Sequence, residues 1–162
     1  AGDPHSFIIS CADASSEHRI TVGVFTDIGV PCEQVTQHFA QCHAAFLETN
    51  YDDEMLENGN YPVALKIRIR GDQGHLSNAQ ALQLFNEYRA PFMTHLFLSH
   101  LSQHNNKPSL VEQLFKAHAG HTEIIVASRH RETALYTISH QGEINKPVQP
   151  KQSFSYQLDL FH

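Results

Sequence analysis

Apolar residues in this chain gather in short runs, separated by polar turns and by stretches with helical spacing. Phe7-Ile8-Ile9 lies within residues 6–12 between polar neighbours and predicts a strand. Residues 13–17 read as a turn, and Arg19–Phe25 as a second strand, so the first two strands suggest a hairpin. Gly29 and Pro31 then interrupt the pattern. Residues 33–43 predict a helix, with Val35, Phe39 and Cys42 on one face. Residues 45–47 form a short apolar run, read as a buried strand ending at Glu48. Residues 52–57 offer one or two helical turns, stopped by Asn58-Gly59.

The pattern over residues 61–70 is ambiguous. Leu65, Ile67 and Ile69 alternate with Lys66, Arg68 and Arg70, which is strand spacing, yet the flanking segments favour a helical connection. A helix is the expectation. Ser77-Asn78-Ala79-Gln80 is a capping box opening a helix to about Tyr88, and Pro91 stops it. His95–Ser99 predicts a strand. Pro108 suits a first helical turn, Leu110, Val111, Leu114 and Phe115 supply an apolar face, and Gly120 ends the helix. Strands are expected at residues 123–127, 133–139 and 154–161, with a polar, proline-bearing loop over 141–152. A hairpin followed by helices alternating with buried strands predicts an α/β chain with helices packed on a sheet.

Composition narrows the class. The 162 residues are 41% hydrophobic and 17% charged, the profile of one globular domain with a real core. The net charge of -6 gives no electrostatic footprint for passive binding of nucleic acid. A phosphate-handling role would therefore need local positive charge, for which a metal is the obvious source. Thirteen histidines are an unusual number, and histidine is the commonest metal ligand. Cys11, Cys32 and Cys42 are odd in number and lack metal-site spacing, which points to reduced thiols and a cytoplasmic setting. No apolar run is long enough to span a membrane.

Ligands of layered α/β folds gather beyond the carboxyl ends of strands. Three successive strands are followed there by chemistry. Asp27 follows the second, Glu48, Asn50 and Asp52 follow the third, and His100, Ser102, His104, Asn105 and Asn106 follow the fourth. Carboxylate and imidazole together suit a divalent metal. Each residue also has a plain structural role open to it. Asp27 before Gly29 is a common turn former, Glu48 and Asp52 suit helix capping, and Lys66, Arg68 and Arg70 suit a solvated face. Asp27 and His100 are two ligands where catalytic zinc needs about three and an open position. No HxHxDH or HExxH motif occurs in the chain.

Taken together, the motifs resemble a family. Glu48-Thr49-Asn50-Tyr51-Asp52, then Tyr61-Pro62, Leu65-Lys66 and Arg68, then Gly74-His75-Leu76-Ser77-Asn78, then His100-Leu101-Ser102 and Asn105-Asn106 occur in order. This series, with Thr26-Asp27-Ile28-Gly29 before it, resembles the second half of the metallo-β-lactamase superfamily, in the branch typified by the bacterial YycJ-type exonucleases. Ala1, Asp3 and Pro4 are similar to the tail of that branch's H-D-A-x-D-P segment.

The resemblance implies half of a four-layer αβ/βα sandwich and a binuclear metal site, filled by two divalent ions, zinc or manganese. It makes Asp27 the carboxylate bridging both metals and His100 the last histidine ligand, and both catalytic. His75, Ser77, Asn78, Ser102, Asn105 and Asn106 would lie on the substrate side. The expected reaction is hydrolysis of a phosphodiester, nucleic acid included, by a metal-activated water. The HxHxDH-bearing N-terminal half would lie upstream of Ala1, so the chain by itself is expected not to catalyse. It would pair with that half, or associate with copies of itself through the sheet face left bare. Two alternatives stay open: a non-catalytic binding or structural module with a degenerate metal site, and a hydrolase of another ester such as a lactone or thioester.

Overall fold

Among the described residues, five strands form one mixed sheet whose spatial order is the order of the sequence. The computed structural model describes residues 5–12, 19–139 and 147–148. Strands β1 (Phe7–Ala12) and β2 (Arg19–Phe25) pair antiparallel. Strands β3 (Ala44–Glu48), β4 (His95–Ser99) and β5 (Glu123–Val126) then add in parallel. Helices fill the crossovers. α1 (Glu33–Phe39) joins β2 to β3. α2 (Asp53–Asn58), α3 (Val63–Arg70) and α4 (Asn78–Tyr88) lie between β3 and β4. α5 (Pro108–Lys116) joins β4 to β5. Because every parallel crossover steps the same way along the sheet, crossovers of one hand lay their helices on one face. This α/β architecture, with a mixed sheet covered by helices on one side, is consistent with half of the expected sandwich.

The core records that layering. Ala45 and Leu47 of β3 and Leu96 and Leu98 of β4 are fully buried against Phe39, Phe85, Val111 and Phe115 from the helices. The intervening strand residues face the other way, as the period of two requires. There Phe46 and Phe97 stack at 4.5 Å, and Tyr136 packs edge-on against Phe97 and His95.

Most expected elements are present, with shifts at their ends. The first helix stops at Phe39 rather than residue 43, where the chain turns into β3. The ambiguous stretch is helical from Val63, and the Pro62 carbonyl accepts from the Leu65 and Lys66 amides at 2.9 and 3.1 Å. In a helix Leu65 and Ile69 share one half-buried side. Val63 and Ile67 share the other and remain 72% and 66% exposed. Ser77 caps α4 as expected: its Oγ accepts from the Gln80 amide, and the Gln80 side chain accepts from the Ser77 amide. Residues 133–139 are not a strand. They make one isolated bridge, Leu135 to Val148. Among the described residues, the apolar alternation there has no neighbouring strand to complete a ladder. The turn at 13–17 and the strand at 154–161 lie outside the described residues, as does most of the 141–152 loop.

Candidate metal centre

β2, β3 and β4 run parallel, so their carboxyl ends share one edge of the sheet. Asp27 lies just beyond β2, Glu48 ends β3, and His100 directly follows β4. Asp27 (φ 59°) and His100 (φ 58°) are the two non-glycine residues with positive φ among those described. Left-handed backbone is costly for side chains other than glycine, and it persists where the surroundings impose it, commonly at functional sites. Here the two side chains meet, with His100 Nε2 4.0 Å from Asp27 Oδ1.

His75 joins them from the loop after α3. Its amide donates to the Ile69 carbonyl at 2.9 Å, which folds the loop back onto the helix. Two glycines permit the close approach. A Cβ on Gly74 would lie 2.0 Å from the Ile69 oxygen, and one on Gly29 would lie 2.0 Å from the Asp72 oxygen. The turn that carries Asp27 is thereby pressed against the turn that carries His75. Asp27, His75 and His100 each bring one donor atom, all within 4.8 Å of one another. His75 Nδ1 and His100 Nε2 lie 3.9 and 4.0 Å from Asp27 Oδ1.

Glu48 is the hub. It is fully buried, yet its carboxylate has three partners. Oε1 accepts from Nδ1 of both His75 and His100 at 2.7 Å, and Oε2 accepts from the Ile28 amide at 2.9 Å. Burial pushes the Glu48 carboxyl up. The hydrogen bonds from His100, His75 and the Ile28 amide outweigh that, and hold it below the ordinary carboxylate range. In return, the Glu48 hydrogen bond raises the His100 imidazole above its ordinary value. Sequence reasoning missed this role. A carboxylate directly after an apolar run looks like a helix cap, and its partners lie far along the chain.

The segment after β3 acts as a clasp. The Asn50 side chain donates to the His100 carbonyl at 2.8 Å, its amide donates to Leu76, and its carbonyl accepts from the Ser102 amide. Asp52 caps α2 through the Met55 amide. The E-x-N-x-D motif therefore threads between the His75 loop and the His100 loop and binds both. Asn78 and Asn106 exchange amide hydrogen bonds at 3.0 and 2.8 Å, and Asn106 also donates to the Thr49 carbonyl.

The residues expected on the substrate side thus divide. His75 lies within the ligand cluster. Ser102 lines an open cavity of about 510 Å³ that also borders His75 and His100. Ser77, Asn78, Asn105 and Asn106 are buried. The side chains of Ser77, Asn78 and Asn106 are spent on the cap and on the amide pair.

The donors fit a divalent ion. Two imidazoles and one carboxylate are a common set for zinc or manganese. Tetrahedral bonds of about 2.0–2.2 Å set donors about 3.3–3.6 Å apart, so the three donors, now within 4.8 Å of one another, would draw slightly together around an ion. A ligating histidine characteristically donates its other ring N–H to a carboxylate; His100 does so, with Nδ1 on Glu48 and Nε2 toward Asp27, whereas His75 turns the same Nδ1 to both carboxylates.

Fold and site together define an α/β chain with a carboxylate–histidine cluster at the carboxyl edge of its parallel strands. No protein-family model matches the chain. Part of it is similar to the exodeoxyribonuclease YycJ of Bacillus anthracis, 33% identical over 89 residues, which are 55% of this chain and 34% of that protein. It is likewise similar to the exodeoxyribonuclease WalJ of Streptococcus pneumoniae, 31% identical over 102 residues, 60% of this chain and 38% of the relative. The chain thus spans little more than a third of the length of these curated relatives. No helix among the described residues is long and apolar enough to cross a membrane.

Proposed function

We propose that residues 1–162 are the C-terminal part of a metallo-β-lactamase-type domain in a metal-dependent nuclease, and that its metal centre includes Asp27, His75 and His100. The observation that carries this reading is the meeting of these three donors, from three separate segments, around one buried carboxylate. The similarity to proteins named exodeoxyribonucleases supports the choice of phosphodiester over lactone or thioester. The remaining ligands of a two-metal site come from outside these residues, in the HxHxDH-bearing half of the fold. The three unpaired cysteines suit a reducing, cytoplasmic compartment.

Bound there, zinc or manganese would neutralise phosphate charge and lower the pKa of an attacking water. The chain's own residues prepare the place. Asp27 supplies the negative donor, aimed by its left-handed backbone. Glu48 holds the proton of both imidazoles at Nδ1, so that His100 presents an unprotonated Nε2 toward Asp27. Ser102 contributes a hydroxyl to the substrate side. Ser77, Asn78, Asn105 and Asn106 serve from behind, by keeping the loops in place. The test is made on the full-length protein. Asp27→Ala and His100→Ala should each abolish release of nucleotides from DNA and lower bound metal, with the circular dichroism spectrum unchanged. Near-normal turnover in both variants refutes the reading.

A further inference from the structure

The cavity beside the metal centre has a character that the metal centre alone does not require. Arg68 reaches it from α3 and Arg129 from beyond β5. Neither arginine pairs with a carboxylate among the described residues, whereas Arg70, on the same helix as Arg68, is taken up by Glu57 at 2.8 Å. The Arg129 Nη2 donates to the Leu101 carbonyl at 2.9 Å, which fixes the guanidinium and leaves further donors of its planar fork. In a chain of net charge -6, two unpaired guanidiniums on one cavity wall are a local feature.

Tyr61 and His104 line the same cavity, with ring centroids 6.2 Å apart in edge-on contact. Flat side chains beside a cationic groove are how proteins hold single strands, by stacking on bases and neutralising phosphates. At about 510 Å³ the space falls within the roughly 300–1,000 Å³ that holds a small organic ligand, which is more than one scissile phosphate needs.

We propose that this cavity seats the nucleotide next to the reacting phosphodiester, with Arg68 and Arg129 gripping its phosphate and Tyr61 carrying its base. The assignment rests on the reading of Asp27, His75 and His100 as the metal centre, because it takes the reacting phosphate to lie against them.

The experiment is equilibrium binding of a labelled phosphorothioate oligothymidylate to the full-length protein, followed by anisotropy across a salt series. Arg68→Ala and Arg129→Ala should each weaken binding by about tenfold and reduce the slope of log affinity against log salt by about one contact. Arg→Lys at either position should keep the slope. Tyr61→Ala should lower affinity with the slope intact. Affinity for bis(p-nitrophenyl) phosphate, which has a single phosphodiester and no nucleotide, should be unchanged in all of them. Unchanged oligonucleotide affinity and slope in both alanine variants overturns the proposal, as does equal loss for both ligands. Failure of the metal-centre reading is separately visible, as undiminished metal uptake by Asp27→Ala and His100→Ala.

Discussion

Glu48→Gln isolates what the buried carboxylate does. The substitution keeps shape and volume but makes one end of the side chain a donor. If the amide nitrogen faces Ile28, two donors confront each other where Oε2 now accepts at 2.9 Å. A buried unsatisfied donor costs about 1–3 kcal/mol. If the nitrogen instead faces the imidazoles, both Nδ1 atoms must become acceptors, since both now donate to Oε1 at 2.7 Å. Each ring proton then moves to Nε2, and His100 loses the lone pair it turns toward Asp27. Loss of such a partner typically lowers metal affinity about 10–100-fold. The variant should therefore show a stability loss of about 1–3 kcal/mol without metal, a large fall in metal affinity, or both. The pH dependence adds a second signature. His100 is raised above its ordinary 6.5, so its share of stability is complete below 6.5 and fades as pH rises through the higher folded value. Glu48 is lowered from 4.5, so its share is complete above 4.5 and fades as pH falls through the lower folded value. The cost of Glu48→Gln in metal-free protein should thus be full between about pH 4.5 and 6.5 and shrink as pH rises through the raised His100 value. Urea unfolding of both proteins across pH, with calorimetric metal titration, measures both effects. Wild-type metal affinity together with a pH-independent stability difference would refute the reasoning.

Two further outcomes follow from the packing. Gly29→Ala places a methyl 2.0 Å from the Asp72 carbonyl oxygen, and should force the Asp27 turn away from the His75 loop. Urea unfolding should show a loss of about 1–3 kcal/mol, and metal titration a weakened site, while a neutral result would mean that the contact is not binding on either turn. Cys42 is buried and its thiol is pushed up to about 12, whereas Cys11 and Cys32 are exposed. Iodoacetamide at pH 8 should label Cys11 and Cys32 in the native protein and reach Cys42 only after unfolding, as read by peptide mass spectrometry.

Much of the scaffold was legible because burial writes a simple pattern. β4 could be read to the residue from His95-Leu96-Phe97-Leu98-Ser99, where a short apolar run is bounded by polar residues. Asp27 and His100 were legible for a related reason: in a parallel sheet, whatever follows each strand meets at one edge. Residues 61–70 were harder, since Leu65, Ile67 and Ile69 satisfy a strand period and Leu65 with Ile69 satisfies a helical one. The structure resolves the tie by leaving Ile67 in solvent with Val63, a distribution that no single-face pattern announces. Residues 133–139 fail in the opposite sense. Their alternation is real, but a strand exists only where another strand receives its hydrogen bonds.

The placement of His75 shows where linear reading stops. By motif it belonged to the substrate side; in space it stands with Asp27 and His100. Its position depends on Gly29 and Gly74, where an added Cβ would lie 2.0 Å from a backbone oxygen, and on Glu48, which binds His75 and His100 at once. None of these residues carries a periodic signal, and the atoms they meet, at Asp72, Ile69, His75 and His100, are not their neighbours in the hydrophobic pattern. The same holds for the arginines: Lys66, Arg68 and Arg70 look alike along the chain, yet Arg70 is neutralised by Glu57 while Arg68 turns to the cavity shared with Arg129. The chemistry of this edge is set by which charges find a partner and which do not. Glu48 is stabilised as an anion because two imidazoles and the Ile28 amide donate to it, and those imidazoles are oriented because it accepts.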